Sequence, residues 1–147
     1  MQGENQSAEF KASFQKEVIE SVVAFANSNG GKILIGISDG GKLLGLDTTN
    51  ETVQQYINTI KQNTQPSIIV DIDLYAIENK NILIIDVKEY PIKPISYKNR
   101  YYKRIKNSNH SMNLDEIANE HLKTINASLD YYIDDRHYFR DISQENI

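Results

Sequence analysis

Phe14, Val18, Val22 and Phe25 recur at spacings of four, four and three, so one apolar stripe predicts an amphipathic helix over residues 13–28. Ser13 is its expected N-cap, and Asn27-Ser28-Asn29-Gly30-Gly31 supplies residues that tolerate positive φ and stop it. Lys32 to Ile37 is then almost continuously apolar, the pattern of an interior strand. Ser38-Asp39-Gly40-Gly41 turns the chain, with Lys42 to Leu46 expected to return as a hairpin partner. A second helix is predicted from Glu51 to Asn63, with Val53, Tyr56, Ile57 and Ile60 on one face and Pro66 beyond its end. Ile68, Val70, Ile72 and Leu74 alternate with polar or less buried positions, so 67–76 and 81–88 read as a hairpin with one face on a core.

Beyond Pro91 and Pro94, residues 95–97 and 101–105 are placed to pair across Lys98-Asn99-Arg100. A third helix is predicted from Leu114 to about Asn126, opened by Asn113 and Glu116 at the spacing of a capping box. Residues 1–127 read as one domain and 128–147 as a tyrosine-rich tail or linker. Three helices separated by hairpins, without regular βαβ alternation, imply an α+β fold with helices packed on a mainly antiparallel sheet.

The 147 residues hold nine tyrosines and no cysteine. A disulfide framework and a cysteine zinc site are therefore excluded, and a reducing, cytoplasmic setting is the simpler expectation. No apolar run approaches the roughly 20 residues that span a bilayer, so no membrane partner is expected. The net charge is −4, yet no Asp or Glu occurs from Pro91 to Asn113, while Lys93, Lys98, Arg100, Lys103, Arg104 and Lys106 crowd together. Such a stripe attracts phosphates even on an acidic protein. Because alternate residues of a strand face opposite ways, Tyr102 and Arg104 share one side and Tyr101, Lys103 and Ile105 the other. Only one of these sets can be a nucleic-acid surface, and the other belongs to a core or interface.

Other chemistry is poorly supplied. The glycines are not followed by Gly-Lys-Ser/Thr, so an ATP site is not indicated. His110, His121 and His137 are scattered, and there is no Gly-x-Ser-x-Gly nucleophile elbow. Asn27 is expected to cap a helix end. Glu9 is open to pairing with Lys11 or another cation, and Asp39 to a plain turn role.

The blocks Ala8-Glu9-Phe10-Lys11, Ala24-Phe25-Ala26-Asn27-Ser28-Asn29-Gly30-Gly31 and Ile35-Gly36-Ile37-Ser38-Asp39-Gly40-Gly41, with Tyr101-Tyr102-Lys103-Arg104-Ile105 and Ser108-Asn109, resemble the Schlafen AlbA-like domain family over residues 4–126. Lys106 stands where many bacterial relatives carry glycine, so a different turn is expected there. The resemblance implies a DNA- or RNA-binding domain, DNA ahead of RNA, of a bacterial transcriptional regulator. Lys11, Lys98, Arg100, Lys103, Arg104 and Lys106 would then contact the nucleic acid. A second implication comes from animal members: a Mg²⁺- or Mn²⁺-dependent endoribonuclease with Glu4, Glu9 and Asp39 as metal ligands and catalytic residues. A third reading is a homo-oligomerising interaction module.

Overall fold

The computed structural model describes residues 7–134. Its elements, in chain order, are β1 (Ala8–Lys11), α1 (Lys16–Ala26), β2 (Gly31–Ile35), α2 (Asn50–Asn63), β3 (Thr64–Gln65), β4 (Asp71–Ile77), β5 (Lys80–Val87), β6 (Ser96–Tyr97), β7 (Tyr102–Ile105), β8 (Ser108–Ser111) and α3 (Leu114–Asp134). This is the expected α+β class. A four-stranded sheet runs in the order β1-β2-β5-β4, and β3-β6 and β7-β8 form two short ladders.

β2 is the interior strand its apolar run implies, but its neighbours differ from expectation. It pairs in parallel with β1, Glu9 opposite Ile33, and antiparallel with β5, Ile33 opposite Ile85. With both edges of β2 taken, residues 42–46 cannot add a strand. They contribute the single bridge Ile37 to Leu43 and a second from Leu46 to Asn81. β4 and β5 form the predicted hairpin, closed by Glu78 and Asn79, both at positive φ. The 101–105 segment also finds another partner. Tyr97 and Arg100 make only one bridge, and β7 pairs instead with β8, Tyr102 opposite Ser111.

α1 is buried along almost its whole length, from Val18 through Ala26 except Glu20. A helix apolar on nearly every side must be covered on several, and α1 packs against β2 and β5 as well as β6, β7 and β8. Phe25, Val22 and Val18 join Ile33, Ile35, Leu83, Ile85 and Ile95 in the main core. The N-cap is Gln15, not Ser13, and no side chain caps the helix there. At the other end Gly30 takes a φ of +74°, and a Cβ on Gly31 would lie 2.6 Å from the Phe25 ring. That double glycine therefore serves both a left-handed turn and a close approach of backbone to core.

The described chain divides into two compact units, Met1–Met112 and Asn113–Ile147. In the second, α3 opens with the reciprocal capping box. Glu116 N–H donates to Asn113 Oδ1 at 2.9 Å and Asn113 N–H donates to Glu116 Oε1 at 3.1 Å. The helix runs past its expected end at Asn126, because no glycine or proline interrupts it. Among the described residues no helix is long and apolar enough to cross a membrane.

Candidate functional site

Glu9 lies in the middle of β1 and faces the protein interior, 5% exposed. Its partner comes from 95 residues away. Arg104 Nη1 donates to Glu9 Oε1 at 2.8 Å, and the arginine side chain has no exposed surface. The same Nη1 donates to Asn109 Oδ1 at 2.8 Å, and Asn109 Nδ2 donates to Ser21 Oγ at 2.9 Å. Ser21 closes the ring by donating its hydroxyl proton to Glu9 Oε2. Arg104 also reaches the Ala8 carbonyl at 3.4 Å and stacks over Phe25, 4.7 Å from the ring centroid. Four polar side chains from β1, α1, β7 and β8 thus hydrogen-bond to one another in the core, which offsets much of the cost of burying a charge pair.

Asn27 and Ser28 extend the same joint. Asn27 Nδ2 donates to the carbonyls of Ile95 and Tyr102, each at 2.9 Å, and its Oδ1 accepts from Ile95 N–H at 2.7 Å. Ser28 Oγ accepts from Arg104 N–H at 2.8 Å. Asn27 does occupy the C-cap position, but its side chain is spent on holding β6 and β7 against the end of α1 rather than on closing the helix.

This anchoring puts the 98–100 turn beside the start of α1, where a cavity of about 210 Å³ is lined by Lys16, Glu20, Tyr97, Lys98, Arg100 and Tyr102. Three cations and one carboxylate line it, so its field favours anions. Lys98 Nζ sits 5.3 Å from the Tyr97 ring centroid. Tyr102 Oη donates to Glu20 Oε2 at 3.3 Å. Burial raises the Tyr102 pKa, the Glu20 charge adds to this, and Arg100 opposes it. Lys16 opens α1, where a cation opposes the helix dipole but reinforces attraction for an anion placed there. Lys98 is at φ +51° and Lys106 at φ +55°, left-handed conformations that cost an L-residue about 1–2 kcal/mol. Lys106 thereby adopts a conformation that glycine favours.

The residues singled out in the sequence therefore part company. Lys98, Arg100 and Lys106 are exposed, Lys103 and Lys11 are half-buried, and Arg104 is interior. The alternation along β7 holds, with Tyr102 and Arg104 buried and Lys103 and Ile105 outward. Asp39 is exposed in the turn where Ser38 accepts from Gly41 N–H and Lys42 N–H. Glu4 lies outside the described residues. As ligands for a divalent cation Glu9 and Asp39 fit poorly. Both oxygens of Glu9 are engaged, one of them by a guanidinium that would repel a second cation. Among the described residues no three acidic or histidine side chains form a group able to hold a metal.

Sequence reading missed Lys16 and Glu20 as cleft residues and Ser21, Ser28 and Asn109 as the network. A lysine at the first position of a helix was the available signal for the cleft, since acidic residues are favoured there. The network left no local signal, because its members meet only in the tertiary structure.

No curated protein matches the sequence. Two solved structures from bacteria are similar in fold. The DIP2311 protein of Corynebacterium diphtheriae is 19% identical with a TM-score of 0.63; the match covers 73% of this chain, which spans only 25% of that protein. The N-terminal domain of a RecG-related protein of Nitrosomonas europaea, whose name relates it to an ATP-dependent DNA helicase, is 25% identical with a TM-score of 0.52, over 74% of this chain and 82% of that domain. The profile of the family described as Schlafen, AlbA_2 matches residues 4–113, which takes in Glu9, the Asn27-Ser28 joint, Arg104 and Asn109 together, and the chain belongs to that family.

Proposed function

We propose that this is a nucleic-acid-binding domain, DNA ahead of RNA, that serves a bacterial transcriptional regulator. The observation that carries the reading is the cleft: Lys16, Lys98 and Arg100 converge on a concavity wide enough for a phosphate group. Phosphate contacts position a protein on nucleic acid without reading its sequence. The strained placement of Lys98 and Lys106 adds support, since residues held in disfavoured backbone regions cluster at functional sites. Lys103 and Lys11 are secondary contacts in this reading, and Arg104 acts indirectly by fixing the strand that carries the cleft. The name of the Nitrosomonas europaea neighbour favours DNA as the first ligand to try.

Fluorescence anisotropy with duplex DNA and with RNA of the same sequence tests this. Lys98→Glu combined with Arg100→Glu should weaken binding and lower the slope of log affinity against log salt by about 2. An unchanged affinity and slope would remove the cleft from the argument.

The endoribonuclease alternative rests on resemblance, and the engagement of Glu9 by Arg104 and Ser21 stands against it. Incubation of transfer RNA and Mn²⁺ with the parent protein and with Asp39→Ala should give no difference in cleavage. Cleavage lost in the Asp39→Ala protein would reinstate the catalytic reading.

A further inference from the structure

Lys16, Lys98 and Arg100 suffice to draw an anion into the cleft beside α1, but Glu20 opposes that attraction. Neutralising its neighbours is not its role. Lys16 and Glu20 stand four residues apart on one face of α1, in the reverse of the Glu-then-Lys order that favours a helical pair. Among the described residues Glu20 forms no salt bridge with Lys16, Lys98 or Arg100, and its side chain makes one hydrogen bond, accepted by Oε2 from Tyr102 Oη at 3.3 Å. Glu20 thus lines the cleft with a second oxygen, Oε1, still able to accept. A carboxylate can only accept, so a ligand satisfies it with an N–H or O–H donor and not with phosphate oxygens.

The size and layout of the cleft fit a ligand that carries both groups. Its volume of about 210 Å³ exceeds what a phosphate alone needs, since roughly 150 Å³ accepts a benzene ring. Glu20 lies about 6 Å further along α1 than Lys16, at 1.5 Å per residue, a step between neighbouring groups of one nucleotide rather than between the oxygens of one phosphate. Tyr97 and Tyr102 are only 6% and 8% exposed, so they wall the cleft and offer no open ring face for a base to stack on. Recognition there falls to charge and hydrogen bonding. Nucleic acid has two kinds of donor close to a phosphate: the N–H groups of an unpaired base and the ribose 2′-hydroxyl. A paired base is held inside the duplex stack and cannot enter a concave cleft.

We propose that the cleft binds one nucleotide of an unpaired strand, with Lys16, Lys98 and Arg100 holding its phosphate and Glu20 accepting from an N–H or O–H donor beside that phosphate. This rests on the reading of the cleft as a nucleic-acid site and goes beyond it in making Glu20 the residue that selects the ligand. Fluorescence anisotropy of the parent and of Glu20→Ala tests it with four probes: single-stranded DNA, an abasic strand of the same length, single-stranded RNA of the same sequence, and duplex DNA. Glu20→Ala should bind the single-stranded RNA about tenfold more weakly than the parent does, the loss expected for a hydrogen bond to a charged group. The abasic strand and the duplex present no donor to the cleft, so Glu20→Ala should bind them as tightly as the parent or more tightly, a repelling charge having gone. Retained duplex binding also shows that the variant is folded. A loss shared by single-stranded DNA assigns the donor to the base, and a loss confined to RNA assigns it to the 2′-hydroxyl. A Glu20→Ala protein that keeps the parent's affinity for both base-bearing single strands, or that loses as much on the abasic strand as on them, would overturn the proposal alone. Single-strand binding left unchanged by Lys98→Glu with Arg100→Glu would overturn the cleft reading and the proposal together.

Discussion

Arg104 illustrates how far a charged residue's role depends on the direction it faces. Within a cationic run whose other members are exposed or half-buried, its side chain is fully enclosed, held by Glu9, Asn109 and Ala8. Removing one member of a buried pair strands the other, so Arg104→Ala should cost about 3–5 kcal/mol in urea denaturation. Arg104→Lys should recover little, because an ammonium cannot serve Glu9, Asn109 and the Ala8 carbonyl with one planar fork. A loss below about 1 kcal/mol for Arg104→Ala would show that the ring is dispensable. Tyr102 makes a second prediction at this scale. Its phenol is raised by burial and by Glu20, so the folded state keeps the proton after the unfolded chain has released it. The resulting stability is complete below about pH 10 and is lost as pH climbs through the folded-state value. Above about pH 10 the urea midpoint of the parent should therefore fall more steeply than that of Tyr102→Phe, and parallel curves would contradict this.

At the scale of elements, local pattern was a good guide to where several of the elements lie. α1, α2, β2 and the β4–β5 hairpin follow directly from spacing, and the capping box of α3 was visible as Asn113 and Glu116. Pairing was less legible, since nothing in β2 announces whether its neighbour is β1 or the 42–46 segment. The β7–β8 turn offers a test of the strain at Lys106. Lys106→Gly removes the left-handed penalty and should raise stability by about 1 kcal/mol, partly offset by the entropy of glycine in the unfolded chain. The same change should weaken nucleic-acid binding if the lysine is held there for phosphates. A destabilised Lys106→Gly protein would mean that the lysine side chain packs usefully.

For the whole molecule, every residue of the two buried apolar clusters lies at or before Tyr102. The unit Met1–Met112 therefore contains its own core, and a chain ending at Met112 should unfold cooperatively with the midpoint of that unit in the full chain. A chain ending at residue 127, the boundary proposed from the sequence, should behave identically in that transition. A drop in midpoint on removing α3 would show that the unit depends on it.

Spacing and residue type alone determined the three helices and the β4–β5 hairpin, the interior position of β2, the inward side of β7 and the cationic character of the 98–106 segment. Those properties are local, set by the 3.6- and two-residue periods along the chain. Only the tertiary structure decided that Arg104 is buried with Glu9, that Asn27 joins β6 and β7 to α1, and that Lys16 faces Lys98 and Arg100 across a cleft. Such pairings bring together residues as many as 95 positions apart, and the choice of partner depends on burial that no local period encodes.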